Sequence, residues 1–476
     1  MAGIAAIAGV AILLALPIFG NPSVATVTID QTMRFQTLRG WEVSDRVWQT
    51  DKKANRYDPS WEAVSTPLAE ALVREVGINN LRLQVPSGIE NPIDNWQRFR
   101  SGELTYEEMK THSYEVVNDN SDPMVLDPAG MQFDVIDQNV SLVLAPMRDA
   151  LAAQGERLYV TLTFVDFAWT DGKTSLNLAE NPAEYAEFVL AVFDHLQTKY
   201  AVVPDALEVI LEPENTDGWG GRAIGAAIVA VTDRLSAAGY APEIIAPSTT
   251  RAENAVKYFN KLASVPGAAE RVDMLAYHRY GPATARALPG IAATAAKAGI
   301  QTGMLEFTKG DIDMLFEDLT RGNVSAWQQY GVARRVVDGD ARASASYYLD
   351  ALYKGDAFER IELPTRTQLL AQVFRLFRTG SVRVGGESDN SAVIPVAMEG
   401  TTGRMGLALR LTEPAQIKVR GMPAGNYILS GMNGAGMQIT PQPITVRQGV
   451  DFDISADVLG GQDGVLTLRP VEIVTP

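Results

Sequence analysis

The sequence predicts an α/β protein, a (β/α)8 barrel with an accessory all-β sandwich built from the C-terminal region and one N-terminal strand. Three observations carry this. Eight short apolar runs recur between Leu38 and Trp327, each followed by helical periodicity or a polar loop, and most lack the alternation of a half-exposed strand, as expected of parallel strands covered on both faces. After Arg378 the helical periodicity stops, and short strands punctuated by Gly, Pro and Asn take over; that is the pattern of a sandwich. The stretch "ATVTIDQTMRFQTLRGW" ahead of the barrel also reads as strand, and it would pair into the same sandwich.

The chain begins with "MAGIAAIAGVAILLALPIFGNPSVA", apolar from Ala2 to Phe19 and closing on the small-x-small triplet Ser23-Val24-Ala25. This reads as a secretory signal cleaved after Ala25, or, since it lacks a Lys/Arg start, as a membrane anchor. The expectation is a secreted or periplasmic protein with no membrane attachment once residues 1–25 are removed. Residues 26–37 then form the first sandwich strand, 38–378 the barrel and 379–476 the rest of the sandwich.

The eight barrel strands are expected at Leu38–Val43, Asn79–Val85, Leu158–Val165, Ala206–Leu211, Glu243–Pro247, Val272–Tyr277, Gln301–Leu305 and Asn323–Trp327. Between them, "SWEAVSTPLAEALVREVG", "NPAEYAEFVLAVFDHLQTKY" and "AIGAAIVAVTDRLSAAGY" place apolar residues at spacings of three and four, which predicts helices. Beyond Arg378, "MGLALRL", "AQIKVRGM", "NYILSGM", "QPITVRQG" and "GVLTLRPVEIV" are the sandwich strands. No low-complexity linker separates the two parts, so they should pack rigidly.

Composition narrows the function. A chain of 476 residues with 46% hydrophobic content can bury a large core, while a net charge of −16 without any Lys/Arg-rich run argues against nucleic acid or an anionic membrane surface as partner. A neutral substrate fits better. The absence of cysteine removes disulfides and thiolate nucleophiles. Only His112, His195 and His278 occur, which leaves no His-rich metal cluster and no Ser-His-Asp triad with its G-x-S-x-G elbow. "TDGKTS" lacks the first glycine of a phosphate loop, and "GMNGAGM" lies among sandwich strands as a hairpin turn. No cofactor and no metal are inferred.

Active sites of such barrels lie at the C-terminal ends of the strands. There the sequence places Trp41 and Glu42, Arg82 and Gln84, Asp166 and Trp169, Glu212, His278 and Tyr280, Glu306, and Trp327 with Gln328. Two glutamates thus stand at strands four and seven, across the barrel from each other. Retaining glycoside hydrolysis needs such a pair, one acid to protonate the leaving oxygen and one carboxylate to attack the anomeric carbon, about 5–5.5 Å apart. Arg82 and Tyr280 could hold Glu306 ionised as the nucleophile, with Glu212 as proton donor. The indoles of Trp41, Trp169, Trp219 and Trp327 could stack on sugar rings. In "VILEPENTDGWGG", Glu214 reads as a rim carboxylate beside the catalytic one.

Several motifs in order resemble a clan A glycoside hydrolase, closest to family 30: "FQTLRGWE" before the barrel, "GINNLRLQVPSGIE" at strand two, "LEPEN" at strand four, "YHRYG" at strand six, "LEF" at strand seven and "VFRLFRTGSVRV" entering the sandwich. The resemblance implies a barrel joined to a β-sandwich, a carbohydrate substrate, Glu212 as acid/base, Glu306 as nucleophile, and Arg82 and Tyr280 as its partners. One position departs from it. The family has Asn immediately before the acid/base, contacting the sugar 2-hydroxyl, where this chain has Leu211. Either Asn215 or another loop supplies that contact, or the substrate differs at C2. The alternatives to a secreted retaining β-glycosidase or endo-glycanase are a non-catalytic carbohydrate-binding barrel and a clan A hydrolase with an unusual sugar at the altered subsite.

Overall fold

The computed structural model describes residues 23–51, 53–168, 176–339 and 346–471. Trp169 and residues 1–22 of the expected leader lie outside the described residues. Eight parallel strands close into a barrel: Gly40–Ser44, Asn80–Pro86, Tyr159–Val165, Ala206–Glu208, Glu243–Ile245, Met274–His278, Gln301–Glu306 and Val324–Val337. Closure is made by the eighth, which pairs with the seventh (Met304 beside Trp327) and with the first (Trp327 beside Trp41). Each expected run overlaps one of these strands.

Period-two geometry sorts the strand residues. Trp41, Val43, Leu81, Leu83, Leu162, Phe164, Leu207, Leu275, Tyr277 and Trp327 belong to the apolar layer shared with the surrounding helices. Their neighbours Glu42, Arg82, Thr161, Thr163, Glu208, His278 and Gln328 are equally buried but point to the other side, into the barrel. Lower in the barrel the interior is filled by Ala206, Ile245, Met274, Ala276, Leu305 and Ala326.

Two of the expected helices form as continuous elements, Pro182–Tyr200 and Gly221–Ala237. Pro182 opens the first, where its missing N–H costs nothing. The expected helix over 60–77 is instead three pieces in series, a 3₁₀ turn Pro59–Val64, an α segment Ser65–Ala71 and a π turn Leu72–Val76 closed by Gly77 at φ 95°.

The eighth strand overruns the expected Asn323–Trp327. Its last barrel pairing, after an irregularity past Gln328, is Gly331 with Ser44; from Gly331 on it pairs with Tyr347–Lys354, which in turn pairs with Ala357–Glu362. This annex rises beside the barrel mouth. Helix Thr365–Leu376 then leads to the sandwich.

The sandwich is one nine-stranded mixed sheet, curled so that residues from all parts of it share one apolar cluster, among them Val27, Leu407, Leu409, Ile417, Val419, Leu429 and Leu466. Its first strand, Ser23–Thr37, lies between Val382–Ser388 (antiparallel) and Ala415–Arg420 (parallel). The opposite face of the sheet packs on the barrel: Val396, Met398, Ala408 and Val465 join the same cluster as Val373, Phe374 and Phe377. Arg410 adds an ion pair to Asp313 at 2.6 Å.

Candidate active site

The carboxylate at the end of strand seven is held from below. Arg82, fully buried on strand two, ion-pairs with Glu306 and also donates to the Leu305 carbonyl at 3.1 Å. Tyr280, two residues past the end of strand six, donates its hydroxyl to the other Glu306 oxygen at 2.9 Å. Burial alone would push the Glu306 carboxyl up, but Arg82 foremost, then His278 and Tyr280, hold it below the usual carboxylate range. The same contacts, after burial, drive the Tyr280 hydroxyl far above its ordinary value.

The ladder of strand four ends at Glu208, but the chain stays tied to its neighbours up to Glu212: Leu211 donates to Phe164 O (2.9 Å) and Glu212 to Ser248 O (3.1 Å). Glu212 itself is left-handed, φ 49° and ψ 63°, a conformation that costs a non-glycine residue about 1–2 kcal/mol. The turn aims its carboxylate into the mouth. One oxygen lies 2.8 Å from Nδ1 of the buried His278, and the other accepts from Asn215 Nδ2 at 2.7 Å. Glu214 points away. It accepts from the backbone N–H of Thr250 (2.8 Å) and from Asn254 Nδ2 (3.2 Å), bracing the loop after strand five.

Glu212, His278 and Glu306 each present an atom within 4.8 Å of those of the other two, the one such group among the described residues. A cation there would compete with Arg82, Tyr280 and Asn215, donors that already occupy the carboxylates.

Above the pair opens a cleft of about 1040 Å³ lined by Glu212, Glu306, Asn215 and Tyr280. Three sequence expectations are corrected here. Trp41 and Trp327 are fully buried and stay outside the lining. Each is adjacent to an inward residue, Glu42 or Gln328, so each indole points outward to the helices. Trp41 stacks on Phe374 at 4.4 Å and donates to Phe377 O (2.8 Å), while Trp327 donates to Asp318 (2.9 Å). Trp219 is likewise buried, donating to Asp166 at 2.9 Å.

The aromatic walls come from residues the sequence reading missed: Tyr330 and Tyr347 on the annex, and Tyr114 and Phe167 in the loops after strands two and three. Arg46, just past strand one, also faces the cleft and donates Nε to Gln84 at 2.7 Å. Leu211 packs with Val165 and Phe167 into a small apolar patch of the wall beside Glu212. Asn215 is spent on Glu212 itself.

Neither a protein-family model nor a curated protein sequence matches this chain. Solved structures do match it. The catalytic domain of GH30 xylanase C from Talaromyces cellulolyticus superposes with TM-score 0.64 at 13% identity, covering 94% of this chain and 100% of that one. The fold is that of glycoside hydrolase family 30 enzymes. A GH30 endoxylanase from Clostridium papyrosolvens C71 gives TM-score 0.60 at 15% identity over 94% of this chain and 100% of that chain. An endo-β1,6-glucanase gives 0.58 at 13% identity over 95% and 96%. Such identities establish a shared barrel and sandwich.

Proposed function

We propose that the protein is a retaining β-glycoside hydrolase acting on a carbohydrate, with Glu306 as nucleophile and Glu212 as acid/base. One observation carries the reading: the two carboxylates face each other across the barrel mouth with oxygens within 4.8 Å. Such closeness supports the retaining arrangement, with carboxyl groups about 5–5.5 Å apart, over the inverting one, which needs about 6.5–9.5 Å to seat a water between them.

Each group suits its role. Glu306, held ionised by Arg82 and Tyr280, attacks the anomeric carbon as the C–O bond to the leaving group breaks, and Glu212 delivers the proton to the departing oxygen. In the second step Glu212 takes a proton from water, the water oxygen bonds to the anomeric carbon, and Glu306 leaves as a free carboxylate. Around the reacting ring, Tyr330, Tyr114 and Phe167 supply aromatic surface, and Leu211 supplies an apolar one. Family 30 neighbours include xylanases and an endo-β1,6-glucanase, which makes β-linked glycans the first substrates to test.

The test separates the two carboxylates of "LEPEN". Glu212→Ala should fail on substrates with poor leaving groups yet still form the glycosyl-enzyme from activated aryl glycosides, and azide should restore turnover with a glycosyl azide of retained configuration. Glu214→Ala should show no azide rescue. Rescue of the Glu214 variant instead, or of neither while the parent is active, would overturn the assignment.

A further inference from the structure

Beneath the site lies a buried carboxylate that this reaction does not use. Glu208, on strand four, is fully enclosed, as are its partners Ser248 and His278. Ser248 donates its hydroxyl to one Glu208 oxygen, and Thr163 donates to the other at 2.6 Å. Arg82 reaches within 3.9 Å of Glu208 as well as pairing with Glu306. On its other side, Ser248 Oγ lies 3.5 Å from Nε2 of His278, whose Nδ1 is the atom facing Glu212 at 2.8 Å.

We propose that Glu208 is a positioning residue which, through Ser248, keeps the proton on Nε2 of His278, so that the Nδ1 side shares a single proton with Glu212. This rests on the reading of Glu212 as the acid/base.

The argument is a count of hydrogens. A carboxylate accepts and does not donate, so the one Ser248 hydroxyl hydrogen is committed to Glu208. The Ser248 oxygen can then only accept from the imidazole, and Nε2 must carry a hydrogen. The proton that remains to be placed lies in the 2.8 Å contact between Nδ1 and Glu212, on one atom or the other. That is the proton the leaving oxygen needs, and in the second step the same contact receives one back from water.

The groups facing His278 agree. Ser248 approaches it from the loop after strand five, Glu212 from beyond strand four, Glu306 from strand seven, Arg82 from strand two and the Tyr280 ring at 6.3 Å. Burial opposes a charge on the ring, yet Glu212 and then Glu306 outweigh it and raise its pKa. Ser248 does double duty. Its carbonyl accepts the Glu212 N–H at 3.1 Å, and it is itself left-handed at φ 51°, so one residue sets both the backbone under the acid and the tautomer of its partner.

The chain has only three histidines, and His112 and His195 are bonded elsewhere, to Glu115 and Asp137. Nitrogen-15 NMR of the histidine-labelled full chain, with His278→Gln to assign the signal, therefore reads the tautomer directly. The expected result is a protonated Nε2 at neutral pH. Glu208→Gln should flip it, because the new amide can donate to Ser248 and turn the hydroxyl toward Nε2; Ser248→Ala should release it into a mixture. In both variants kcat/KM for poor leaving groups should fall at least about 10-fold relative to activated ones, with a shifted basic limb of the pH profile. An unprotonated Nε2 in the parent, or a tautomer unmoved in both variants, overturns the proposal. The NMR reading holds whether or not a glycoside is turned over, so inactivity of the parent on every glycan would sink the hydrolase assignment and leave the relay standing or falling on its own signal.

Discussion

Inside the upper barrel, the buried inward positions are Glu42, Arg82, Thr161, Thr163, Glu208, His278 and Gln328; inside the sandwich they are Val27, Leu407, Leu409, Ile417, Leu429 and Leu466. The two interiors are built to different ends. The barrel encloses polar groups that its own fold leaves without a protein hydrogen-bond partner, both ends of Asn80 and of Gln328 among them. The sandwich carries no such atoms among the described residues, and its face of Val396, Met398, Ala408 and Val465 backs the barrel helices. Chemistry should therefore fail first in one region and folding first in the other.

The largest effect expected is on the barrel side. Glu306→Gln should lower turnover of an aryl β-glycoside by about 10³-fold or more while thermal unfolding moves little, because an amide keeps the shape but cannot form the glycosyl ester. Its mirror image is Leu409→Ala, deep in the sandwich. That change should cost about 2–5 kcal/mol in urea unfolding with kcat/KM of the folded fraction retained. A large kinetic defect there, or a large stability defect in Glu306→Gln, would erase the distinction.

A smaller effect sharpens it through pH. Glu90, in the loop above strand two, is pushed up to about 8 by burial and by the neighbouring Asp119, Glu184 and Glu187. A carboxyl whose folded pKa is raised favours folding below its unfolded value near 4.5 and loses that contribution as pH rises through 8. Stability should thus decline across that window. Glu90→Gln should flatten the decline, whereas Leu409→Ala should shift the whole curve without changing its slope.

The smallest effect concerns the N-terminal strand. Ser23, Val24 and Ala25 pair with Ala415, Gln416 and Ile417, and Ala25 is fully buried. A chain starting at Thr26 should be about 1–2 kcal/mol less stable than one starting at Ser23, from a few lost ladder bonds. Mass spectrometry of the protein purified from its host checks the expected cleavage after Ala25, which would put that loss into the mature protein.

What was legible follows from what each signal encodes. Apolar runs located all eight strands, and strand ends located Glu212 and Glu306, because burial and position in a barrel are written locally. The tryptophans were misplaced because strand position was read without strand face. Glu42 and Gln328, unmistakably polar, had to point inward, and period two then sends Trp41 and Trp327 out. Tyr330 lies past Trp327, where the apolar run of the eighth strand ends, and its neighbour Gly331 carries no side chain to extend the pattern. Here it is a point of close passage: a Cβ on Gly331 would lie 2.7 Å from the Arg46 carbonyl and 2.8 Å from the Tyr347 ring. Glu208 and Ser248 were invisible as a pair, since their meeting depends on a left-handed residue after strand five that no periodicity announces.

The position of the first strand has a consequence for synthesis. Ser23–Thr37 is made well before the strands that flank it, so both edges wait; Thr26 bonds to Asp389, 363 residues later. At about 5–20 residues per second, translation leaves that strand unpartnered for roughly 20–70 s. Through that interval the whole barrel emerges while Val27 and Ile29 have no sandwich to enter, and an open strand with two free edges is the kind of segment other chains pair with. A strand made ahead of the barrel is satisfied only after it, so the sandwich locks once the barrel has been delivered.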